Sequence, residues 1–186
     1  HAQREVIIAI PYFFPGYRFL HELQEAARRG VREHVLIQGK PDKWIVQFAA
    51  KTLYSRLLGA GVKLYEYCAR PMHAKVAVID DDWVTIGSSN LDPLSLYLNL
   101  ECNVIARDPA LNTEMSKRLH HLMRHSCKEI PMDLKPHRTL WRMLVGAVAF
   151  HAMRRFPSWI GWLPAHRARF EVHTPSPGRH EVTAQQ

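Results

Sequence analysis

The first third of the chain alternates between short apolar runs and longer segments in which apolar residues recur at helical spacing. Val6–Ile10 is a continuous apolar run, mostly β-branched and ended by Pro11, which is typical of a buried strand. Gly30 closes the first segment of helical spacing, as expected at a helix C-terminus. The pattern predicts strands at Val6–Ile10, Val31–Gln38 and Val62–Tyr67, and helices at Tyr17–Arg29 and Lys43–Leu58.

Strands that alternate with helices in this way are the signature of right-handed crossovers on a parallel sheet. Three further strands are predicted at His73–Ile79, Trp83–Ile86 and Leu100–Ala106, followed by an amphipathic helix at Pro109–Ile130. We therefore expect an α/β fold, built on a mixed and mostly parallel sheet that is flanked by helices.

The positive charge of the chain is concentrated near its C-terminus. Residues 1–130 contain 17 Lys and Arg against 14 Asp and Glu, whereas residues 131–186 contain 8 against 3. The last segment therefore holds +5 of the formal net charge of +8. This division predicts a nearly balanced globular domain over residues 1–130 and a basic, aromatic extension over residues 131–186. An excess of positive charge favours an anionic partner, either a nucleic acid or a membrane surface.

Two segments of the extension bear on that choice. Leu140–Phe150 is strongly apolar but shorter than the ~20 residues that span a bilayer. In Arg154–Pro164, Arg and Trp alternate with aliphatic residues, a mixture that suits the membrane interface. The pattern predicts a helical tail that either associates with a membrane or packs on the domain, and it leaves both open.

The strongest chemical signal is the segment HAKVAVIDDDWVTIGSSN, which begins at His73. It matches the pattern H-x-K-x4-D-x6-G-S-x-N at every fixed position, with the fixed residues His73, Lys75, Asp80, Gly87, Ser88 and Asn90. Residues two apart on a strand share a face, so His73 and Lys75 are expected to meet one anion. A neutral imidazole is nucleophilic and can form a phosphohistidine. The Lys and Asn side chains are suited to stabilise the charge that develops on phosphate oxygens.

On this motif the chain resembles the phospholipase D superfamily, and within it the C-terminal halves of bacterial cardiolipin synthases. Further matching segments are PYFFPGYRFLHELQEAARRGV, IQGKPD, YEYCARPMHAK and GSSNLDPLSLYLNLECNV. The resemblance covers about residues 5–130. It implies a phospholipase D-like half domain and a phosphatidyltransferase reaction that needs no cofactor and no metal.

The resemblance also implies roles for the site residues. In such C-terminal halves the histidine of the motif is usually the general acid/base, so the resemblance implies this role for His73. The sequence itself leaves open whether His73 is instead the nucleophile. Lys75, Ser88 and Asn90 are expected to bind the substrate phosphate. Glu101 falls where the superfamily has an acidic partner for the histidine. Asp80, although part of the catalytic motif, is expected to be mainly structural.

One part of the family pattern is missing, because those synthases carry two such motifs and this chain carries one. The second half-site is expected either in an upstream part of the protein or in a second copy related by a twofold axis. The expected partners are phospholipid substrates, with phosphatidylglycerol favoured, and a membrane surface, but no nucleic acid. The expected location is the cytoplasmic face of the bacterial inner membrane, as a peripheral protein.

Several alternatives stay open at this point. A homodimeric phosphodiesterase of the nuclease branch would also carry one motif per chain, and a non-catalytic half domain is a third possibility. His120, His121, His125 and Cys127 are more simply solvated or capping groups than metal ligands, and no C-x-x-C pair is present. Tyr12, Phe13 and Phe14 are expected either to line an entrance for acyl chains or to pack in the core.

Overall fold

The computed structural model describes residues 2–13, 15–39, 54, 56–91 and 100–132. Within these residues, seven strands form one sheet: β1 (Glu5–Ala9), β2 (Arg32–Gln38), β3 (Lys63–Tyr67), β4 (Val76–Ile79), β5 (Trp83–Gly87), β6 (Asn103–Arg107) and β7 (Cys127–Glu129). The two helices with defined bounds are α1 (Tyr17–Arg28) and α2 (Pro109–Ser126). The α/β class predicted from the sequence is therefore confirmed. Most of the predicted helix at Lys43–Leu58 and nearly all of the extension at 131–186 lie outside the described residues.

The strand order within the sheet is β6-β5-β4-β1-β2-β3-β7. β1 pairs with β2 and β2 pairs with β3 in parallel, as the crossover pattern predicted. The other four pairings among the described strands are antiparallel, so the expectation of a mostly parallel sheet is wrong. After β3 the chain stays at the edge of the sheet where the parallel strands end. β4 therefore starts at that edge and runs antiparallel to β1. The short turn at residues 80–82 then forces β5 to run antiparallel to β4.

Both faces of the central strands are buried. On one face, residues such as Val6, Ile8 and Val35 pack with Leu20 and Leu23 of α1. On the other face, a second cluster packs under α2 and comprises Ile7, Ala9, Leu36, Tyr65, Val78, Val84, Leu119 and Met123. Cover on both faces explains why β1 reads as a continuous apolar run instead of an alternating one.

The helix boundaries follow from local chemistry. α1 ends before Gly30, whose φ of +90° is a conformation that glycine adopts without strain. α2 begins with Pro109, and the side chain of Asp108 accepts hydrogen bonds from the amides of Ala110 and Leu111. In the part of the chain that the structure describes, no helix combines the length and the hydropathy needed to cross a membrane.

The end of α2 differs from the prediction. A helix was expected to continue to Ile130, but it ends at Ser126 and Cys127–Glu129 forms β7 on the outer side of β3. The amide of Ile130 donates to the carbonyl of Leu64 at 2.9 Å, and its side chain is buried under α1's face of the sheet. Pairing with β3 therefore outweighs the local preference for helix.

Candidate active site

The catalytic motif begins in an irregular segment that connects β3 to β4. His73 is exposed, Lys75 is only 9% exposed, and regular strand begins one residue later, at Val76. The ammonium nitrogen of Lys75 lies 3.3 Å from Nδ1 of His73 and donates to the carbonyl of His73 at 3.2 Å. The two side chains therefore meet as the motif predicted, although the backbone there is not the strand that the prediction assumed.

The environment of Lys75 favours an anion beside it. Burial lowers the pKa of the Lys75 ammonium, while the negative charge of Glu101 acts in the opposite direction. A buried cation of this kind is stabilised by any negative group that approaches it. The exposed imidazole of His73 next to it makes the position accessible from solvent.

The G-S-x-N part of the motif is joined to Glu101 and its neighbours. The hydroxyl of Ser88 donates to Oε2 of Glu101 and accepts from the amide of Cys102 at 2.9 Å. Next to it, the side-chain amide of Asn103 donates to the hydroxyl of Ser89 at 2.6 Å. Ser88 thus orients the carboxylate of Glu101, whereas the predicted contacts of Ser88 with phosphate and of Glu101 with His73 stay predictions.

Gly87 connects the pair His73 and Lys75 with the group formed by Ser88, Glu101 and their neighbours. Its amide donates to the carbonyl of Lys75 at 3.0 Å, across the pairing of β4 with β5. A Cβ at this position would lie 2.6 Å from the carbonyl oxygen of Cys102 and would collide with the Asn103 side chain. The motif therefore requires glycine here because the backbone carrying Ser88 passes close to residues 102 and 103.

Asn90 lies on the segment that returns to the end of β1. It is half-buried, and the next residue, Leu91, forms a parallel bridge with Phe13. Phe13 itself is 1% exposed and belongs to the core, which favours packing over an acyl-chain entrance for this residue. Phe14 lies outside the described residues, and contact of Asn90 with a shared phosphate stays a prediction.

Asp80 is located at the opposite end of β4 from His73 and Lys75. Its carboxylate accepts hydrogen bonds from the amides of Gln3, Arg4 and Glu5, at 3.0, 2.8 and 3.1 Å. Burial alone would raise the pKa of Asp80, but these amides and the charge of Arg4 outweigh it and lower the pKa. The residue has a φ of 51°, and it fixes the turn between β4 and β5 against the start of β1.

Sequence reasoning missed a cluster at this same edge. The carboxylate of Glu5 lies 3.4 Å from Nε2 of His34 and 3.3 Å from Nε2 of His120. Burial lowers the pKa of His34, although the charge of Glu5 raises it. Within the described residues, no group of His, Cys, Asp and Glu side chains is arranged to hold a metal ion.

A second residue that the sequence did not single out is Gln38, the last residue of β2. Its side-chain oxygen accepts a hydrogen bond from the amide of Met72, at 2.5 Å. Met72 directly precedes His73, so this contact connects the central sheet to the motif. The only sequence signal was a buried-strand pattern that ends in a polar residue just before a glycine.

Comparison with known proteins identifies the family. The model of the family described as "Cardiolipin synthase, PLD-like domain" matches residues 1–123. The chain belongs to this family. It is 53% identical to cardiolipin synthase B of Shigella flexneri over 168 residues, which is 90% of this chain and 41% of that protein. It is 48% identical to cardiolipin synthase B of Salmonella typhi over 184 residues, 99% of this chain and 44% of that one. The chain therefore spans less than half the length of these relatives.

Solved structures show the same fold. Phosphatidylserine synthase of Haemophilus influenzae superposes with a TM-score of 0.62 at 14% identity, over 86% of this chain and 41% of that one. Nuc, a phospholipase D family member of Salmonella typhimurium, superposes with a TM-score of 0.56 at 22% identity, over 69% of this chain and 83% of that one. The predicted phospholipase D-like fold is thus confirmed.

Proposed function

We propose that this chain supplies one of two half-sites of a phosphatidyltransferase of the cardiolipin synthase type. The observation that carries the proposal is the contact of Lys75 with His73, inside a motif that matches the family pattern at every fixed position. An imidazole that can attack phosphorus or transfer a proton, next to a buried ammonium, supplies half of the two-histidine site that the exchange requires. The relatives' name, cardiolipin synthase B, and their sequence identity of 48–53% to this chain support the same assignment.

The reaction has two balanced steps. In the first, an imidazole nitrogen attacks the phosphorus of phosphatidylglycerol, the bond to the headgroup oxygen breaks, and glycerol leaves after it receives a proton. In the second, a hydroxyl of another phosphatidylglycerol loses its proton, attacks the phosphohistidine and releases the imidazole, which forms cardiolipin. One histidine carries the phosphatidyl group while the other moves the protons. By resemblance His73 is the proton carrier.

The other residues of the site have complementary roles in this proposal. Lys75 neutralises charge on the non-bridging phosphate oxygens, and Asn90 donates to the same oxygens. Glu101, held by Ser88, supports the protonated form of His73. Asp80 acts through the fold, because its carboxylate is occupied by three backbone amides.

The second half-site lies in another part of the same protein or in a second copy of the chain. The basic extension over residues 131–186 is the candidate for contact with a membrane, as a domain separate from residues 1–130. We place the protein at the cytoplasmic face of the bacterial inner membrane, as a peripheral enzyme. Anionic headgroups there would attract the extension and bring phosphatidylglycerol to the site.

The test is an assay of the full natural polypeptide in bilayers that contain phosphatidylglycerol. Wild type is expected to form cardiolipin and glycerol, and His73→Ala is expected to be inactive. His21→Ala, on the exposed side of α1, is the matched control and should retain activity. Absence of cardiolipin with wild type would refute the proposal, and metal-independent cleavage of plasmid DNA would instead favour the homodimeric phosphodiesterase.

A further inference from the structure

His73 lies outside the hydrogen-bonded ladder of the sheet. Residues 71–75 form neither helix nor strand, and β4 begins at Val76. The position of the imidazole therefore depends on contacts made by this irregular segment. On the C-terminal side of His73, the carbonyl of Lys75 accepts from Gly87 at 3.0 Å. On its N-terminal side, the amide of Met72 donates to the side chain of Gln38.

Gln38 is a rigid point from which to hold that segment. It ends β2, which is paired in parallel with β1 on one side and β3 on the other, and the residue is only 7% exposed. Gly39 follows, and its amide donates to the carbonyl of Tyr67 at 2.9 Å. A Cβ at Gly39 would lie 2.8 Å from Sγ of Cys68, so β2 and the end of β3 are in close contact here.

We propose that Gln38 is a positioning residue for His73. Its side-chain oxygen fixes the Met72 amide and thereby sets the height of the imidazole above the sheet edge, next to the Lys75 ammonium. This inference rests on the proposed phosphatidyl transfer for its catalytic consequence, but the contact itself is independent of the reaction. In this role Gln38 acts through the backbone, by way of the Met72 amide.

The chemistry of the side chain makes the inference specific. An amide oxygen in a buried place can accept a backbone N–H without introducing a charge. Loss of the acceptor leaves a half-buried N–H unsatisfied and releases the segment that carries His73. Small displacements of a catalytic group lower the rate of the chemical step by roughly 10- to 100-fold. Substrate binding, which depends on other groups, is expected to change little.

Two variants separate loss of the acceptor from loss of the side chain. Gln38→Met keeps the length of the side chain and removes the acceptor, whereas Gln38→Glu keeps an oxygen in the same place. In the full natural polypeptide with phosphatidylglycerol bilayers, Gln38→Met is expected to lower kcat by about 10- to 100-fold with KM within about twofold. Gln38→Glu is expected to restore kcat in part, because it keeps the acceptor but buries a charge. Equal kcat for Gln38→Met and wild type would overturn the inference.

Hydrogen–deuterium exchange gives a readout that does not need activity. In Gln38→Met, exchange is expected to be faster in a peptide that covers residues 69–75, and in Gln38→Glu it is expected to match wild type. The matched control is Gln24→Met on α1. It removes the hydrogen bond that the Gln24 side chain donates to the carbonyl of Arg56 at 3.3 Å. Exchange at 69–75 that is unchanged in Gln38→Met would also overturn the inference.

The two proposals fail in different ways. Wild type that forms no cardiolipin contradicts the proposed function, while the exchange comparison still decides the role of Gln38. If Gln38→Met does not fold, Gln38→Asn takes its place, because its shorter side chain withdraws the acceptor from Met72. Gln38→Asn must then lose kcat relative to Gln38→Glu, and equal values would reject the positioning role.

Discussion

The ammonium nitrogen of Lys75 lies 3.3 Å from Nδ1 of His73, and both groups are placed at the same edge of the sheet. At this distance the ammonium can donate a hydrogen bond to a neutral imidazole nitrogen, and one anion beside the pair can contact both side chains. A phosphodiester is such an anion, with a single charge shared over two oxygens. Its charge would offset the burial of the Lys75 ammonium, which is an electrostatic reason for affinity toward phosphate.

Replacement of Lys75 is predicted to separate activity from stability. Lys75→Met should lower kcat by roughly 10²- to 10³-fold, because a fixed positive charge is lost from the transition state. The melting temperature should hold or rise, since burial disfavours the protonated amine in the folded protein. Cardiolipin formation and thermal unfolding measure the two effects. Lys117→Met, on the exposed side of α2, is the control and should change neither.

The hydrogen bond between Ser88 and Glu101 is predicted to couple these residues energetically. Ser88→Ala should lower kcat about tenfold, because the Glu101 carboxylate loses the group that orients it. Glu101→Gln should lower kcat further, and the double variant should be no worse than Glu101→Gln alone. Ser89→Ala, which removes a contact with Asn103, provides the comparison. Strictly additive losses would show that Ser88 does not act through Glu101.

Asp80 is predicted to stabilise the fold in a pH-dependent way. Asp80→Asn keeps a residue that tolerates the positive φ, but it loses the charge that attracts three amides, at a cost of about 1–2 kcal/mol at pH 7. The folded-state pKa of Asp80 is lowered, so its stabilisation is present above the unfolded value of about 3.9 and is lost as the pH falls through the folded-state value.

Urea unfolding at several pH values measures this difference. The gap in stability between wild type and Asp80→Asn should be widest near pH 7 and should close as the pH falls through the lowered folded-state pKa of Asp80. Asp82→Asn is a suitable control, because Asp82 forms a more exposed ion pair with Arg107 at 3.2 Å. A gap that stays constant down to the lowest pH would contradict the proposed role of the carboxylate.

Glu33 is predicted to reduce stability as the pH rises. The residue is 2% exposed, and within the described part of the chain neither carboxylate oxygen has a hydrogen-bond partner. Burial raises the pKa of Glu33 to about 8, although the charge of Arg29 acts against this. The folded protein holds this proton more tightly than the unfolded chain, so stability falls between about pH 4.5 and pH 8.

Glu33→Gln removes the titrating group and should be more stable than wild type at pH 8.5, with a smaller difference at pH 5. Melting temperatures across this range provide the measurement. Glu22→Gln, on the exposed side of α1, should follow wild type at every pH. A wild-type stability that does not fall between pH 5 and pH 8.5 would be inconsistent with a buried, protonated Glu33.

Local patterns in the sequence were sufficient for the strands of the central sheet and for both ends of α1. They also brought His73 and Lys75 together, because a spacing of two keeps side chains close even where the backbone is irregular. They could not provide β7, since its partner is β3, far earlier in the chain. The direction of β4 was missed for the same reason, because it depends on the path that residues 68–75 take along the sheet edge.

Contacts between side chains and backbone were also beyond the sequence. No pattern shows that Gln38 reaches the amide of Met72, or that Ser88 turns to Glu101, because both pairs form only when separate segments converge. The motif indicated candidate site residues, and the resemblance to the family assigned Asp80 to the fold, where it accepts three backbone hydrogen bonds. The motif did not indicate that Asp80 would hold the backbone at residues 3–5.

The hydrogen bonds from the amides of residues 3–5 to Asp80 also fix the edge of the sheet at which the chain enters the domain. β1 starts at Glu5 on the side away from His73 and needs about 17 Å, at 3.3 Å per residue, to reach the catalytic side. A polypeptide joined ahead of residue 2 would emerge on the far side and would have to travel back around the sheet to approach the imidazole. A second half-site supplied by an upstream part of the protein would consequently need a connection long enough to pass from one edge of the sheet to the other.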